Sequence, residues 1–190
     1  APTTIVGLSL GGTVGYMMTA AKPKLVRSLV IVDIAPKVEK AGVKRIRGFV
    51  EGKDYFSSLD DMLDEVRKFR PERTQGQLRG SVLRNAKQLS DGRWSWKYDP
   101  VLRRPEARPK GGEEEERALW KTMESIECPV LIIRGAKSDI ISPESVEEMT
   151  HRIPNARAAT VENAGHLVPG DNPVGFIKAI EPFLCETAIK

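Results

Sequence analysis

The feature that most constrains this fold is a strand, a glycine–serine turn and a helix, all within the first 21 residues. Thr3 to Val6 is apolar, Gly7-Leu8-Ser9-Leu10-Gly11 is the turn, and small residues continue as a helix to about Ala21. A chain that passes directly from strand to helix turns sharply, and glycine permits this because it has no side chain to collide. The pattern predicts that Ser9 stands at a strand end, and that the positions two before and two after it must both be glycine.

Three further segments have the character of strands. Arg27–Ile34 and Pro129–Arg134 contain nearly continuous apolar runs, and Arg157–Glu162 is the last of the three. Runs of this kind are typical of strands buried on both faces, as in a parallel sheet covered by helices. We therefore expect an α/β fold with a parallel sheet of about four strands flanked by helices.

Capping residues mark the beginnings of two helices in the second half of the chain. Ser142-Pro143 begins a helix that runs to about Arg152, because serine caps the first turn and proline fits at its start. Asn172-Pro173 begins the C-terminal helix, which carries Val174, Ile177, Ile180 and Leu184 at helical spacing.

The segment between the second and third predicted strands is much longer than a crossover requires. It is rich in arginine and aromatic residues and largely helical, with helices predicted after Ser58 and over Gln75–Lys87. We expect residues 37–118 to form a helical cap or lid, inserted into a core domain made of residues 1–36 and 119–190.

Composition excludes several classes of protein. The 190 residues are 40% hydrophobic and 29% charged, with a formal net charge of +4, as in ordinary globular domains. The basic run of Arg103, Arg104, Arg108 and Lys110 has no aromatic platform, so solvated surface is favoured over a nucleic-acid site. No apolar run reaches the length of a membrane span, and no signal peptide is recognised at the first residues.

The two cysteines do not indicate a metal site or a disulfide framework. Cys128 and Cys185 lie far apart, and neither has the spacing of a metal ligand or a redox pair. No cluster of ligating residues and no glycine-rich phosphate loop is found, so we expect no metal and no cofactor. A reduced, cytoplasmic protein is the default interpretation.

An acid and a histidine follow the third and fourth predicted strands. Asp139 lies in the loop after Arg134, and His166 lies in the loop Asn163-Ala164-Gly165-His166. Because the carboxyl ends of parallel strands share one edge of a sheet, both side chains can converge on Ser9. A serine becomes a nucleophile when a histidine takes its proton and a carboxylate orients that histidine.

A second carboxylate competes for the role of the acid. Asp33 ends the second strand and could also reach a histidine, although we expect it to shape the turn before Pro36. Asp139 is the favoured acid. The other histidine, His151, sits at a helix end, where it suits the helix dipole.

The aromatic residues of the inserted segment have two interpretations, and the sequence does not choose between them. Trp94, Trp96 and Tyr98 alternate along the chain after a turn signal at Asp91-Gly92. They could line a substrate pocket, or they could only pack the cap.

Together these motifs resemble the α/β-hydrolase superfamily, in its capped form that includes esterases, enol-lactonases, C–C-bond hydrolases and cofactor-free haloperoxidases. The residues that carry the resemblance are Gly7 to Gly12, Val32 to Pro36, Arg93 to Pro100, Gly135 to Asp139 and Asn163 to His166. The chain order Ser…Asp…His is that of the superfamily's triad. The resemblance implies a nucleophile at Ser9, an acid at Asp139, a base at His166 and an oxyanion-hole N–H at Leu10.

The chain departs from the superfamily at its beginning. Members place several strands before the elbow strand, and this sequence has none, so it corresponds to a partial α/β-hydrolase fold. The second oxyanion donor, which comes from an earlier loop, then has no candidate. The Thr3–Val6 strand becomes an edge, which invites pairing with another chain. We hypothesise a fragment, or a partner chain that supplies the strands.

The favoured function is a serine hydrolase that cleaves a small carboxylic ester, thioester or lactone through an acyl-enzyme. Two alternatives stay open. One is a weakly active or inactive hydrolase fragment that acts as a folding or interaction module. The other is a cofactor-free perhydrolase or haloperoxidase that uses the same residues.

Overall fold

The computed structural model describes residues 1–71, 73–104 and 112–188, without the side chains of Leu102 and Arg103. Arg108, Lys110 and the side chain of Arg103, which belong to the basic run, therefore lie outside the described residues. Within this part the strands are β1 Thr3–Leu8, β2 Val26–Val32, β3 Tyr55–Phe56, β4 Ala86–Gln88, β5 Trp94–Trp96, β6 Val130–Gly135 and β7 Ala156–Val161. The helices are α1 Leu10–Ala21, α2 Lys40–Val50, α3 Leu59–Phe69, α4 Gln75–Asn85, α5 Glu113–Glu124, α6 Pro143–Arg152, α7 Val168–Asp171 and α8 Pro173–Glu186.

Four of the strands form a parallel sheet in the order β1-β2-β6-β7. The register aligns their carboxyl ends, with Leu8 opposite Val32 in the first pair and Gly135 opposite Val161 in the last. The predicted α/β fold with a four-stranded parallel sheet is confirmed. β1 occupies one edge of this sheet, as expected.

The apolar runs of the sequence correspond to the two central strands. Every residue of β2 except Arg27 is buried, and in β6 only Arg134 is partly exposed. The edge strand β7 is exposed along most of its length and buried at Val161. Burial on both faces thus separates the central strands from the edges, as parallel sheets require.

The capping residues begin the helices that the sequence assigned to them. The Ser142 side chain accepts a hydrogen bond from the Ser145 backbone N–H, and Asn172 accepts one from Gly175. On α8, Ile180 and Phe183 pack with Val30 and other residues of β2 and β6 in one hydrophobic cluster. Val174 and Ile177, on the same helix, are 64% and 57% exposed.

The chain divides into two compact units, Ala1–Val43 with Gly111–Lys190, and Lys44–Lys110. The first contains the parallel sheet. The second has its own antiparallel sheet in the order β3-β5-β4, together with α3 and α4. This small sheet is not predicted from the sequence, because its strands are only two or three residues long.

The second unit has a core of its own. Its buried residues are Phe56, Met62, Leu63, Val66, Leu78, Val82, Ala86 and Trp96. Helix α4 begins with a capping box in which the Thr74 and Gln77 side chains each accept a hydrogen bond from the other residue's backbone N–H. The predicted limits of the cap, residues 37 and 118, enclose this unit and extend beyond it on both sides. The role of residues 37–118 as a lid stays a prediction.

Candidate active site

Ser9 occupies a strained backbone conformation at the carboxyl end of β1. Its φ is 53° and its ψ is −121°, a combination that favours glycine and is costly for serine. The Ser9 N–H donates to the Val32 carbonyl oxygen at 2.9 Å, and the Ser9 carbonyl accepts from the N–H groups of Gly12 and Thr13 at 2.8 and 3.0 Å. The predicted strand–turn–helix is therefore present, with Ser9 at the turn.

The two glycines of the turn differ in what they require. A Cβ added at Gly7 would lie 2.3 Å from the Gly11 carbonyl oxygen, so no side chain fits there. A Cβ added at Gly11 would meet no atom within 4 Å. The expectation that both positions must lack a side chain is correct for Gly7 and wrong for Gly11.

The helix that follows Ser9 begins with N–H groups that have no partner within the helix itself. Because Gly12 and Thr13 donate to the Ser9 carbonyl, the Leu10 and Gly11 N–H groups stand before the hydrogen-bond ladder of α1. The first turn of α1 contains no acidic residue, and the helix terminus has a positive field. The predicted donor Leu10 has a side chain that is 64% exposed.

Asp33 lies beside Ser9 at the end of the neighbouring strand. It directly follows Val32, which pairs with Leu8, and its own N–H donates to the Ile133 carbonyl at 2.8 Å. Its φ of 53° is again positive. The side chain is wholly buried, and its Oδ1 accepts a hydrogen bond of 2.9 Å from the Gly135 N–H.

The carboxylate that contacts His166 is Asp33. The His166 Nδ1 and Asp33 Oδ2 atoms are 2.9 Å apart, and the imidazole is only 5% exposed. An ionised carboxylate can only accept hydrogen bonds, so Nδ1 carries the proton and Nε2 is left as an acceptor. This is the protonation pattern that a general base requires.

The expected pairing of Asp139 with His166 is not found in this structure. Asp139 lies in the loop after β6, partly buried, and a Cβ on Gly42 would come within 2.0 Å of its carbonyl oxygen. The hydrogen bond to His166 comes from the rival acid, Asp33. The β6 loop instead donates to that acid, through Gly135 and through the Ser138 hydroxyl.

The loop that carries His166 is fixed by close backbone packing. A Cβ on Gly135 would lie 2.3 Å from the Gly165 carbonyl oxygen, so the end of β6 and this loop touch through their main chains. The Lys137 N–H donates to the Ala164 carbonyl at 2.8 Å, and the Gly165 N–H donates to Asp171 Oδ2 at 3.0 Å. These contacts hold the imidazole at the carboxyl edge of the sheet.

Backbone strain in the described residues is concentrated at this same edge. The non-glycine residues with positive φ are Ser9, Asp33 and Asn163, which follow β1, β2 and β7. Strained conformations of this kind cost energy and are typical of functional sites.

A sequence signal for Asp33 did exist, since it is a carboxylate directly after a buried strand that adjoins the serine strand.

The aromatic residues proposed to line a substrate pocket take part in the core of the second unit. Trp96 is 9% exposed and belongs to that unit's hydrophobic cluster, against which Trp94 and Tyr98 pack. The rings of Trp96 and Tyr98 stack with centroids 5.8 Å apart. Of the two interpretations, packing is the one that these contacts describe, and a role in binding stays a prediction.

The remaining candidates lie apart from the Ser9–Asp33 edge. His151 is in the last turn of α6 and is exposed. Cys128 and Cys185 are not bonded to each other, and burial raises the pKa of the Cys128 thiol. In the described ranges no group of three or more His, Cys, Asp or Glu side chains could hold a metal ion, and no helix there is long and apolar enough to span a bilayer.

Comparison with known proteins identifies relatives of this architecture. Esterase Rv0045c of Mycobacterium tuberculosis is 30% identical over 187 residues, which are 95% of this chain and 60% of the esterase. A 3-hydroxybutyrate-oligomer hydrolase of Cupriavidus necator is 30% identical over 172 residues, or 84% of this chain and 57% of that protein. The chain thus spans about three fifths of the length of these relatives.

A solved structure and a family profile agree with these relatives. The crystal structure of an alpha/beta hydrolase from Novosphingobium aromaticivorans matches with a TM-score of 0.81 and 26% identity, and the match covers 98% of this chain and 66% of that one. The profile that describes the alpha/beta hydrolase fold matches residues 1–173. The chain belongs to the alpha/beta hydrolase family.

Proposed function

We propose that the chain is a hydrolase of carboxylic esters in which Ser9 is the nucleophile, His166 the general base and Asp33 the orienting acid. The observation that carries this proposal is the hydrogen bond of 2.9 Å between His166 Nδ1 and Asp33 Oδ2. It leaves Nε2 as the acceptor for a hydroxyl proton. Ser9 supports it through its strained turn at the end of the adjoining strand.

The proposed reaction has two halves. Ser9 Oγ attacks the acyl carbon while its proton passes to His166 Nε2, and the same proton is then given to the leaving alcohol. Water attacks the acyl-enzyme with His166 again acting as base, which releases the acid and restores Ser9. Asp33 holds the imidazole and stabilises its positive charge without accepting the proton.

The oxyanion that forms in each half requires donors. The Leu10 N–H at the first turn of α1 is the candidate in this chain, and the helix terminus adds a favourable field. Thioesters and lactones present the same acyl carbon, so they fall within the proposed substrate range. The names of the relatives, an esterase and an oligomer hydrolase, support the ester class.

The test uses a fluorophosphonate probe, which reacts covalently with an activated serine. We expect the chain to be labelled at Ser9, as mapped by peptide mass spectrometry, and the variant Ser9→Ala to lose the label. Ser145→Ala, which removes a hydroxyl buried elsewhere in the same unit, serves as the control and should keep it.

Hydrolysis of p-nitrophenyl acetate gives a second readout for the same variants. Turnover should fall to the uncatalysed rate in Ser9→Ala and persist in Ser145→Ala. Equal turnover by the chain and Ser9→Ala, or labelling at another serine, would reject the mechanism. Equal turnover would favour the alternative of an inactive module.

A further inference from the structure

The side chain of Arg134, near the end of β6, turns onto the loop that follows the strand. This β6 loop comprises residues 136–141, and the Arg134 guanidinium donates to three of its carbonyl oxygens. The acceptors are Ile141 at 2.9 Å from Nε, and Ala136 and Ser138 at 3.3 Å from Nη1 and Nη2. A planar guanidinium presents its donors in a fixed fork, so a single side chain ties the first residue of the loop to the last.

The β6 loop leaves the strand at the residue that holds the acid. Gly135 lies between Arg134 and the loop, and its N–H donates to Asp33 Oδ1 at 2.9 Å. The Asp33 side chain is wholly buried, so no solvent replaces this donor if it moves, and a buried charge depends on its hydrogen bonds. The course of the loop therefore bears on the orientation of the carboxylate.

The same loop also contacts the segment that carries the histidine. The Ala136 N–H donates to the Val161 carbonyl oxygen at 3.0 Å, and the Lys137 N–H donates to that of Ala164 at 2.8 Å. Val161 ends β7, and Ala164 comes two residues before His166. The β6 loop thus lies between the acid and the base and is bonded to the main chain beside each of them.

We propose that Arg134 is a positioning residue, which sets Asp33 and His166 relative to each other by closing the β6 loop. The distance that it maintains is the 2.9 Å between His166 Nδ1 and Asp33 Oδ2. Arg134 acts on both residues through the main chain, as a support for side chains that must be held in one geometry. This role rests on the function proposed above.

The experiment compares Arg134→Met, which removes all the donors, with Arg134→Lys and with a control, Arg152→Met. Arg152 is also a partly buried arginine that joins two elements, since its guanidinium donates to Glu124 of α5 and Glu148 of α6 at 2.8 Å. Its loss should lower stability without reaching the pair. Urea denaturation followed by circular dichroism measures the stability of each variant.

Turnover of p-nitrophenyl acetate gives kcat and KM for the folded variants. Because a misplacement of about 1 Å can lower a rate about 100-fold, we expect kcat of Arg134→Met to fall roughly 10- to 100-fold. KM should be nearly unchanged. Arg134→Lys should lie between Arg134→Met and wild type, because an ammonium group cannot span three acceptors as a guanidinium does. Arg152→Met should keep the wild-type kcat.

A spectroscopic readout examines the pair directly. Proton NMR of the ¹⁵N-labelled chain reports the Nδ1 proton of His166, and His151→Gln assigns it, since the chain has two histidines. In Arg134→Met we expect this resonance to shift upfield or to be lost by exchange. In Arg152→Met it should stay at its wild-type position, even if that variant is less stable.

Two results would overturn the role of Arg134. One is a wild-type kcat together with a wild-type Nδ1 resonance in Arg134→Met, or in Arg134→Lys if the methionine variant does not fold. The other is an equal loss of kcat in Arg134→Met and Arg152→Met with the resonance intact in both, because that pattern reports general loss of stability. If wild type itself shows no Ser9-dependent turnover, the proposed function fails, and the resonance still decides whether Arg134 orders the pair.

Discussion

At the scale of single residues, the placement of Asp33 is the feature with the largest chemical consequence. Its carboxylate is wholly buried and accepts hydrogen bonds from a backbone N–H, a hydroxyl and an imidazole. The backbone N–H and the hydroxyl fix the orientation of this buried carboxylate towards the imidazole. It can therefore hold the proton of His166 on Nδ1 throughout a reaction cycle.

Replacing Asp33 by Asn tests whether Asp33 or Asp139 is the acid that orients His166. An amide at position 33 can donate to Nδ1 and so favour the wrong imidazole tautomer, and this change in a serine protease lowers kcat about 10⁴-fold. We expect Asp33→Asn to lower the kcat for p-nitrophenyl acetate by roughly 10³- to 10⁴-fold. The matched variant Asp139→Asn should retain kcat within about 10-fold, because its carboxylate is not the one that contacts His166. The reverse order of effects would restore Asp139 as the acid.

The sequence located two of the three proposed catalytic residues, Ser9 and His166. Their motifs are local, since a strand, a turn and a helix can be read from neighbouring residues. Asp33 and Asp139 both follow strands, and both lie at the edge where the serine stands. The choice between them depends on how the His166 loop packs on Gly135, which no local pattern encodes.

A second prediction at this scale concerns the two glycines of the serine turn. A side chain at Gly7 would collide with the backbone of Gly11 at 2.3 Å, whereas Gly11 has open space. Gly7→Ala should lower the free energy of unfolding by at least about 2 kcal/mol. Gly11→Ala should change it by less than about 1 kcal/mol, towards greater stability, because alanine favours the helix. Urea denaturation followed by circular dichroism measures both, and equal effects would contradict the collision.

At the scale of secondary-structure elements, long segments follow the sequence closely and short ones do not. All four strands of the parallel sheet and helices α1, α6 and α8 lie where apolar runs and capping residues place them. The antiparallel sheet β3-β5-β4 is different. Strand β3 pairs with a strand distant in the chain, with Tyr55 opposite Ser95, while β4 and β5 form a hairpin, and none of the three is longer than three residues.

Trp96 of β5 tests whether the aromatic residues support the second unit or serve a substrate. It is 9% exposed and stands edge-on to Phe56, with ring centroids 5.8 Å apart. Trp96→Ala should lower the free energy of unfolding by about 3–5 kcal/mol, as is usual for a buried aromatic residue. Trp94→Ala, at a partly exposed position of the same strand, should cost less. Thermal denaturation compares the two, and a Trp96 variant as stable as wild type would show that the residue is not structural.

At the scale of the whole molecule, β1 is an edge strand of the parallel sheet that the described residues form. Within residues 1–71, 73–104 and 112–188, the hydrogen-bonded neighbour of β1 is β2, on one side of the strand. Apolar side chains are exposed on it and on the following helix, namely Val6 at 49%, Leu10 at 64%, Val14 at 56% and Met17 at 50%. An apolar edge strand of this kind is a template for pairing with another strand.

This open edge predicts that the chain associates with itself in solution as its concentration rises. Val6→Lys places a charge on the edge strand, which opposes strand pairing, and should shift the sedimentation profile towards the monomer. The control is Thr160→Lys, at an exposed position of β7 on the opposite edge of the sheet. A wild-type chain that sediments as a monomer at all concentrations, or an equal response to both lysines, would contradict pairing through β1.

The conformation of Ser9 has a further consequence, for how the molecule would respond to selection. Its φ of 53° with ψ of −121° is one that glycine adopts without penalty and a serine adopts only at a cost of about 1–3 kcal/mol. A library randomised at this codon and screened for heat resistance alone should enrich glycine there. A screen for ester cleavage should restore serine, so the two screens would select different residues at position 9.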